Sequence, residues 1–193
     1  MLKFQSPKKP FLTVVALASA LAGLGSATLP VQAKDVIVGG AAMYPTKNIV
    51  QNAAQSKDHT TLVAAVKAAD LVPTLSGPGP FTVFAPTNAA FKRLPAGTVE
   101  TLLKPENKEK LTKILTSHVV AKAVMSDAIG KMIADDKGAH SIKTVSGAIL
   151  IAKRRGSKIT LTDENGGTAT VTIADVRQSN GVIHVVDRVL LPK

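Results

Sequence analysis

Apolar residues recur along this chain with two different rhythms, a helical one from about Asn48 to Met132 and an alternating one beyond it. Ile49, Val50 and Ala53 predict a short helix, and Leu62, Val63, Val66 and Ala69 predict a second after Asp58, with Thr60 or Thr61 able to cap it. Pro73 to Pro80, which includes Gly77 and Gly79, is expected to end helical structure. Phe81 to Ala85 reads as a short apolar strand stopped by Pro86, and Thr87 can cap a turn of helix through Phe91. Gly97 to Leu103 offers another turn. Pro105 suits the first position of a helix running to His118, which places Leu111, Ile114, Leu115 and His118 on one face. A further short helix is expected from Ser126 to Met132.

The alternating part comprises Ile142 to Val145, Ala148 to Ala152, Lys158 to Thr162 and Thr168 to Ile173, separated by glycine-containing turns, which predicts half-buried antiparallel strands and hairpins. Ile183 to Val186 and Val189 to Leu190 read as buried strand. Helices followed by sheet imply an α+β domain.

The beginning of the chain follows neither rhythm. Lys3, Lys8 and Lys9 precede an apolar run from Phe11 to Leu24 and a small-residue stretch ending Val31-Gln32-Ala33, the layout of a secretory signal peptide cleaved after Ala33. The run is about 15 residues and is interrupted by glycine, against roughly 20 for a membrane-spanning helix. No later stretch is apolar enough to span a membrane, so no integral membrane span is expected. Residues 34–47, rich in small residues and containing Gly39-Gly40 and Pro45, read as a flexible leader to one domain over residues 48–192. The expected location is the periplasm, the medium or the cell surface, most simply of a bacterium.

Composition narrows the function. With no cysteine, an exported domain must be held by its apolar core. Once the three leader lysines are removed, the remaining chain keeps a formal charge of +8, which favours anionic partners such as surface polysaccharide. Nucleic acid is not the expected polyanion, because Tyr44, Phe81, Phe84 and Phe91 are too few to stack bases.

Three stretches carry a resemblance. Phe81-Thr82-Val83-Phe84-Ala85-Pro86-Thr87-Asn88-Ala89-Ala90-Phe91, Leu115-Thr116-Ser117-His118-Val119-Val120, and Asn180-Gly181-Val182-Ile183-His184-Val185-Val186-Asp187 running on to Leu190-Leu191-Pro192 resemble, in order and spacing, the motifs of the fasciclin domain family. Physically they read as folding instructions. An apolar strand turns sharply into a helix, and Asn180-Gly181, both tolerant of positive φ, make a turn before a buried strand.

The resemblance implies a twisted β-sandwich or wedge with helices packed on one side, no cofactor, and a role in adhesion or surface contact with a cell-surface or matrix protein. In animal members, integrin recognition is associated with a Tyr-His segment and an Asp-Ile pair. Here Ser117-His118 and Asp175-Val176 stand at those places and become the candidate partner-binding residues, with Ser117 in place of tyrosine pointing to a receptor other than integrin. Some family members are thought to carry lipid or carotenoid, so a carrier of an apolar small molecule in a cleft between helices and sheet is the alternative function. A monomer is expected.

The remaining chemistry is sparse. His118 and His184 lie in apolar runs and read first as hydrogen-bonded structural histidines. His59, His118, His140 and His184 have no metal-ligand spacing, so no metal is expected. No nucleophile elbow, phosphate loop or paired-carboxylate signature is found, and Ser117 beside His118 on a helix points about 100° away from it, so no catalytic residue is assigned. The sharpest surface feature is Lys153, Arg154, Arg155 and Lys158 at an expected hairpin tip, either a solvated turn or a docking point for anionic polysaccharide.

Overall fold

The computed structural model describes residues 35–193, so the predicted signal peptide, residues 1–33, lies outside the described residues. Strands β1 (Val36–Val38) and β2 (Ala41–Met43) pair antiparallel around Gly39-Gly40. Residues 36–43 are therefore not the flexible leader that their composition suggests, since Val38 and Met43 are buried in the main core. Gly39, at φ +59°, lies against Ser56 and Asp58 so closely that a Cβ would collide with them.

The helical half follows. Helix α1 (Ile49–Ala53) begins with a capping box in which Asn48 and Gln51 exchange side-chain and backbone bonds. A 3-10 turn, Lys57–His59, leads into α2 (Thr60–Ala68). Neither threonine caps this helix. Asn88, far along the chain, accepts from the Thr61 N–H at 3.0 Å and bonds the Thr60 hydroxyl. Helix α3 (Val72–Ser76) occupies part of the proline segment, because Pro73 sits in the first turn, where its missing N–H costs nothing.

Strand β3 (Phe81–Pro86) then enters α4 (Asn88–Lys92), whose Thr87 cap accepts from the Ala90 N–H as expected. Helix α5 (Thr98–Leu102) starts after Gly97 at φ +79°, and a 3-10 turn over Pro105–Asn107 precedes α6 (Lys108–Thr116). Strand β4 (Val119–Val120) and helix α7 (Ser126–Asp135) complete this part.

The rest is sheet: β5 (Ala139–Lys143), β6 (Ile149–Arg155), β7 (Lys158–Thr162), β8 (Thr168–Gln178) and β9 (Gly181–Val186). Seven strands form one sheet in the order β4-β3-β9-β8-β7-β6-β5. Strand β8 pairs with β7 near its start and with β9 along the rest, and its two register shifts, between Val171 and Ile173 and between Ile173 and Val176, bend the sheet. The bend carries the two edges toward each other, so that the Val145 N–H after β5 donates to the Val119 carbonyl of β4 at 2.8 Å. The result is the expected α+β architecture, a nearly closed sandwich with helices on one side.

Strands β3 and β9 are parallel and buried on both faces, which is why both read as nearly continuous apolar runs. Val83, Ala85, Ile183 and Val185 face the helices, meeting Ile49, Ala65, Leu75, Leu111 and Leu115. Phe84 and Val186 face the other way, into a second core with Leu150, Leu161, Ala169 and Val171 that Ile129 and Ile133 of α7 close. Val189 and Leu190 are buried but belong to no strand.

Candidate functional site

Three of the candidate partner-binding side chains lie in the interior. Ser117, His118 and Val176 are 1, 2 and 1% exposed, so their side chains meet no partner at the surface of this fold. Ser117 follows the last residue of α6; its hydroxyl donates to the Lys113 carbonyl at 2.7 Å and lies 2.9 Å from the Ser146 hydroxyl. His118 receives the Leu190 N–H on Nε2 at 2.9 Å, which leaves Nδ1 as the protonated nitrogen, donating to the Ile114 carbonyl at 2.8 Å. This ring takes the place of a strand partner for the chain end: Leu190 binds it, and Leu191 N–H donates to the Asp163 carboxylate at 3.0 Å.

Asp175 is the half-buried member of the set. It stands at the second irregularity of β8 with φ 61°, a left-handed conformation that aspartate tolerates better than most residues. The turn aims its carboxylate at the start of α7, where it accepts from the Ser126 N–H at 2.7 Å and from the Ser126 hydroxyl. Its own N–H donates to His184 Nδ1 at 3.2 Å, and His184 Nε2 therefore carries the proton that goes to the Val124 carbonyl at 2.9 Å. The His184 ring also stacks on Phe84, with centroids 5.7 Å apart.

Burial governs these imidazoles. It pushes His118 down to about 4, against the Ile114 carbonyl and Asp163, which favour the proton. His184 is lowered chiefly by burial, opposed by the Val124 carbonyl and Asp175, and His59 is lowered chiefly by burial too. Both His118 and His184 are neutral rings wired to backbone groups, suited to holding segments together. Among the described residues no three His, Cys, Asp or Glu side chains are grouped to hold a metal ion.

The basic hairpin is exposed from Lys153 to Lys158, and β6 passes to β7 through Gly156 and Ser157, with Gly156 at φ +61°. Strand alternation divides its charges. Arg155 lies opposite Lys158 and two residues from Lys153, so these three share the outer face of the sheet. Arg154 is on the inner side with Ala152 and Leu150, and its Nη1 approaches Gly130 of α7.

One feature has no signature in the sequence. Between the two edges of the sheet, below the Val145–Val119 bond, a cleft of about 510 Å³ opens. Phe84, Val120, Ile129, Met132 and Ile142 line it, contributed by β3, β4, α7 and β5. Only the folded topology brings these four elements together.

Asn180 was also readable only in part. Neither it nor Gly181 has the positive φ that their turn signal suggests. Instead the Asn180 side chain accepts from Ile49 N–H at 3.0 Å and donates to the Leu75 and Gly77 carbonyls at 2.8 and 2.9 Å, clamping α1 and α3. Gly181 is required because a Cβ there would fall on the Phe81 carbonyl oxygen of β3.

These structural roles fall on the motifs that carry the resemblance, and comparison with known proteins agrees. A family model described as the Fasciclin domain matches residues 57–192. Protein sll1483 of Synechocystis is 46% identical over 182 residues, covering 94% of each chain. Immunogenic protein MPT70 of Mycobacterium tuberculosis is 31% identical over 204 residues, covering 93% of this chain and 96% of the relative. Transforming growth factor-beta-induced protein ig-h3 of Sus scrofa is 37% identical over 131 residues, 68% of this chain but only 17% of that longer protein. A solved FAS1 domain pair from the insect cell adhesion molecule fasciclin I aligns with a TM-score of 0.49 and 26% identity, over 66% of this chain and 45% of that one. With the matched segment spanning most of the chain and the motif residues in place as folding elements, the chain belongs to the fasciclin domain family.

Proposed function

We propose that this protein is an exported, non-catalytic binding module that attaches to a cell surface or matrix through anionic polysaccharide, using the outer face of its sheet. The observation that carries this reading is the placement of Lys153, Arg155 and Lys158. All three are exposed, share one face, and form no ion pair among the described residues. Unpaired like charges side by side on an exposed face favour a polyanion, and an excess of basic residues over the whole chain adds to the attraction. No helix among the described residues is long and apolar enough to cross a membrane.

The test is elution from a heparin column. Lys153→Gln, Arg155→Gln and Lys158→Gln together are expected to lower the salt needed for elution, whereas Arg154→Gln, on the inner side, is expected to leave it nearly unchanged. A triple variant that elutes with the parent protein overturns the assignment.

A second reading, a carrier of an apolar small molecule, is favoured by the open cleft between the sheet edges rather than by the expected cleft between helices and sheet, where only about 30 Å³ is left beside Leu62, Val66 and Val83. The volume between the edges, about 510 Å³, falls in the range of small-molecule sites, roughly 300–1,000 Å³.

A further inference from the structure

The cleft has a chemical asymmetry that narrows its occupant. Most of its uncharged lining is apolar, with Thr82, Ser141 and Thr144 the polar exceptions, and two of the apolar side chains, Phe84 and Ile129, are almost completely buried, so the floor is fixed. Met132 is only partly buried and can repack around a guest. Every ionisable residue lining the cleft is a base, namely Lys122, His140 and Lys143. His140 is engaged by Asp136 at 2.6 Å, but Lys122 and Lys143 are exposed and have no ion pair among the described residues. Both belong to the sheet edges that bound the cleft, Lys122 just after β4 and Lys143 at the end of β5.

An unfilled space lined by apolar side chains and flanked by unpaired bases marks a candidate binding site, and a guest that filled it while presenting negative charge to both lysines would fit both features. A neutral polyene or sterol would satisfy the walls and leave the lysines unused. A sugar or phosphate would satisfy the lysines and leave the walls wet.

We propose that the seam cleft binds a long-chain fatty carboxylate, with its hydrocarbon tail between Phe84, Ile129, Met132 and Ile142 and its carboxylate at Lys122 and Lys143. This rests on the carrier reading and adds the class of ligand. It involves no bond making; the acid is held as its anion and released unchanged.

Nile red, an uncharged apolar dye, and palmitate together test the assignment. Nile red is expected to brighten on binding, and palmitate to displace it at one per chain. Lys122→Gln with Lys143→Gln should keep Nile red binding and weaken palmitate about tenfold, the scale of two solvent-exposed charge contacts. Met132→Trp should abolish both by filling the cleft, and if that variant does not fold, Val145→Trp at the exposed rim is expected to do the same.

If Nile red binds and palmitate fails to displace it, or the lysine variant holds palmitate as tightly as the parent, the fatty-acid assignment is overturned while the carrier reading stands. If neither probe binds, both are overturned. If Val145→Trp folds and binds both probes unchanged, the location is wrong.

Discussion

At His118 and His184 a single ring joins two distant backbone groups, one donating and one accepting, and this works only while the ring is neutral. Protonation would turn the accepting nitrogen into a second donor facing an N–H. Because burial lowers the proton affinity of His118, His184 and His59 in the folded protein, the unfolded chain binds more protons between their folded values and the ordinary 6.5. Stability is therefore fully present above pH 6.5 and declines as the pH falls through that window. For His118 alone, held at about 4, the loss on going fully below the window is about 3 kcal/mol. Urea unfolding at pH 7, 5.5 and 4.5 is expected to show a steadily falling midpoint; a midpoint constant over that range contradicts the neutral-ring assignment. The structural reading of both histidines was available from their apolar neighbours. That Asn180 serves as a three-way clamp was not, because its partners, Ile49, Leu75 and Gly77, are more than 100 residues away in sequence.

Helix α7 illustrates what periodicity reveals about an element and what it leaves hidden. Its start at Ser126 was legible, yet it runs beyond Met132 to Asp135, and the carboxylate that holds its first turn comes from Asp175 in β8. Gly130 sits in its interior, where glycine costs roughly 1 kcal/mol relative to alanine. A Cβ at Gly130 would meet only Arg154 Nη1, at 3.7 Å, which is ordinary contact. Gly130→Ala is thus expected to stabilise the protein by about 0.5–1 kcal/mol, raising the thermal midpoint by roughly 1–4 °C; a lowered midpoint would mean that the Arg154 side chain cannot yield. Alternation could have separated Arg154 from Arg155 in advance, since neighbouring strand residues point to opposite faces. Helix α3 escaped because proline is a breaker inside a helix and harmless in its first turn. The cap of α2 escaped because Asn88 supplies it from outside the segment.

Across the whole molecule, strand and helix order was legible because each element carries its own period, whereas closure of the sheet was not. Bringing β4 beside β5 depends on the irregularities of β8, and no local pattern announces where the two edges stop meeting. The cleft is the product of that incomplete closure, so its lining is scattered over four elements. The β1–β2 hairpin was hidden for a different reason: strands of three residues containing Ala41 and Ala42 have little pairing energy of their own and form by docking on the body of the fold. That docking has a practical consequence for anyone shortening the protein. A version beginning at Asn48 would retain every motif of the family yet lack Val38 and Met43, baring the apolar surface they cover. Such a version is expected to elute as aggregates in size-exclusion chromatography, while one beginning at Lys34 runs as a single monodisperse species; a well-behaved truncation at Asn48 would show the hairpin to be dispensable.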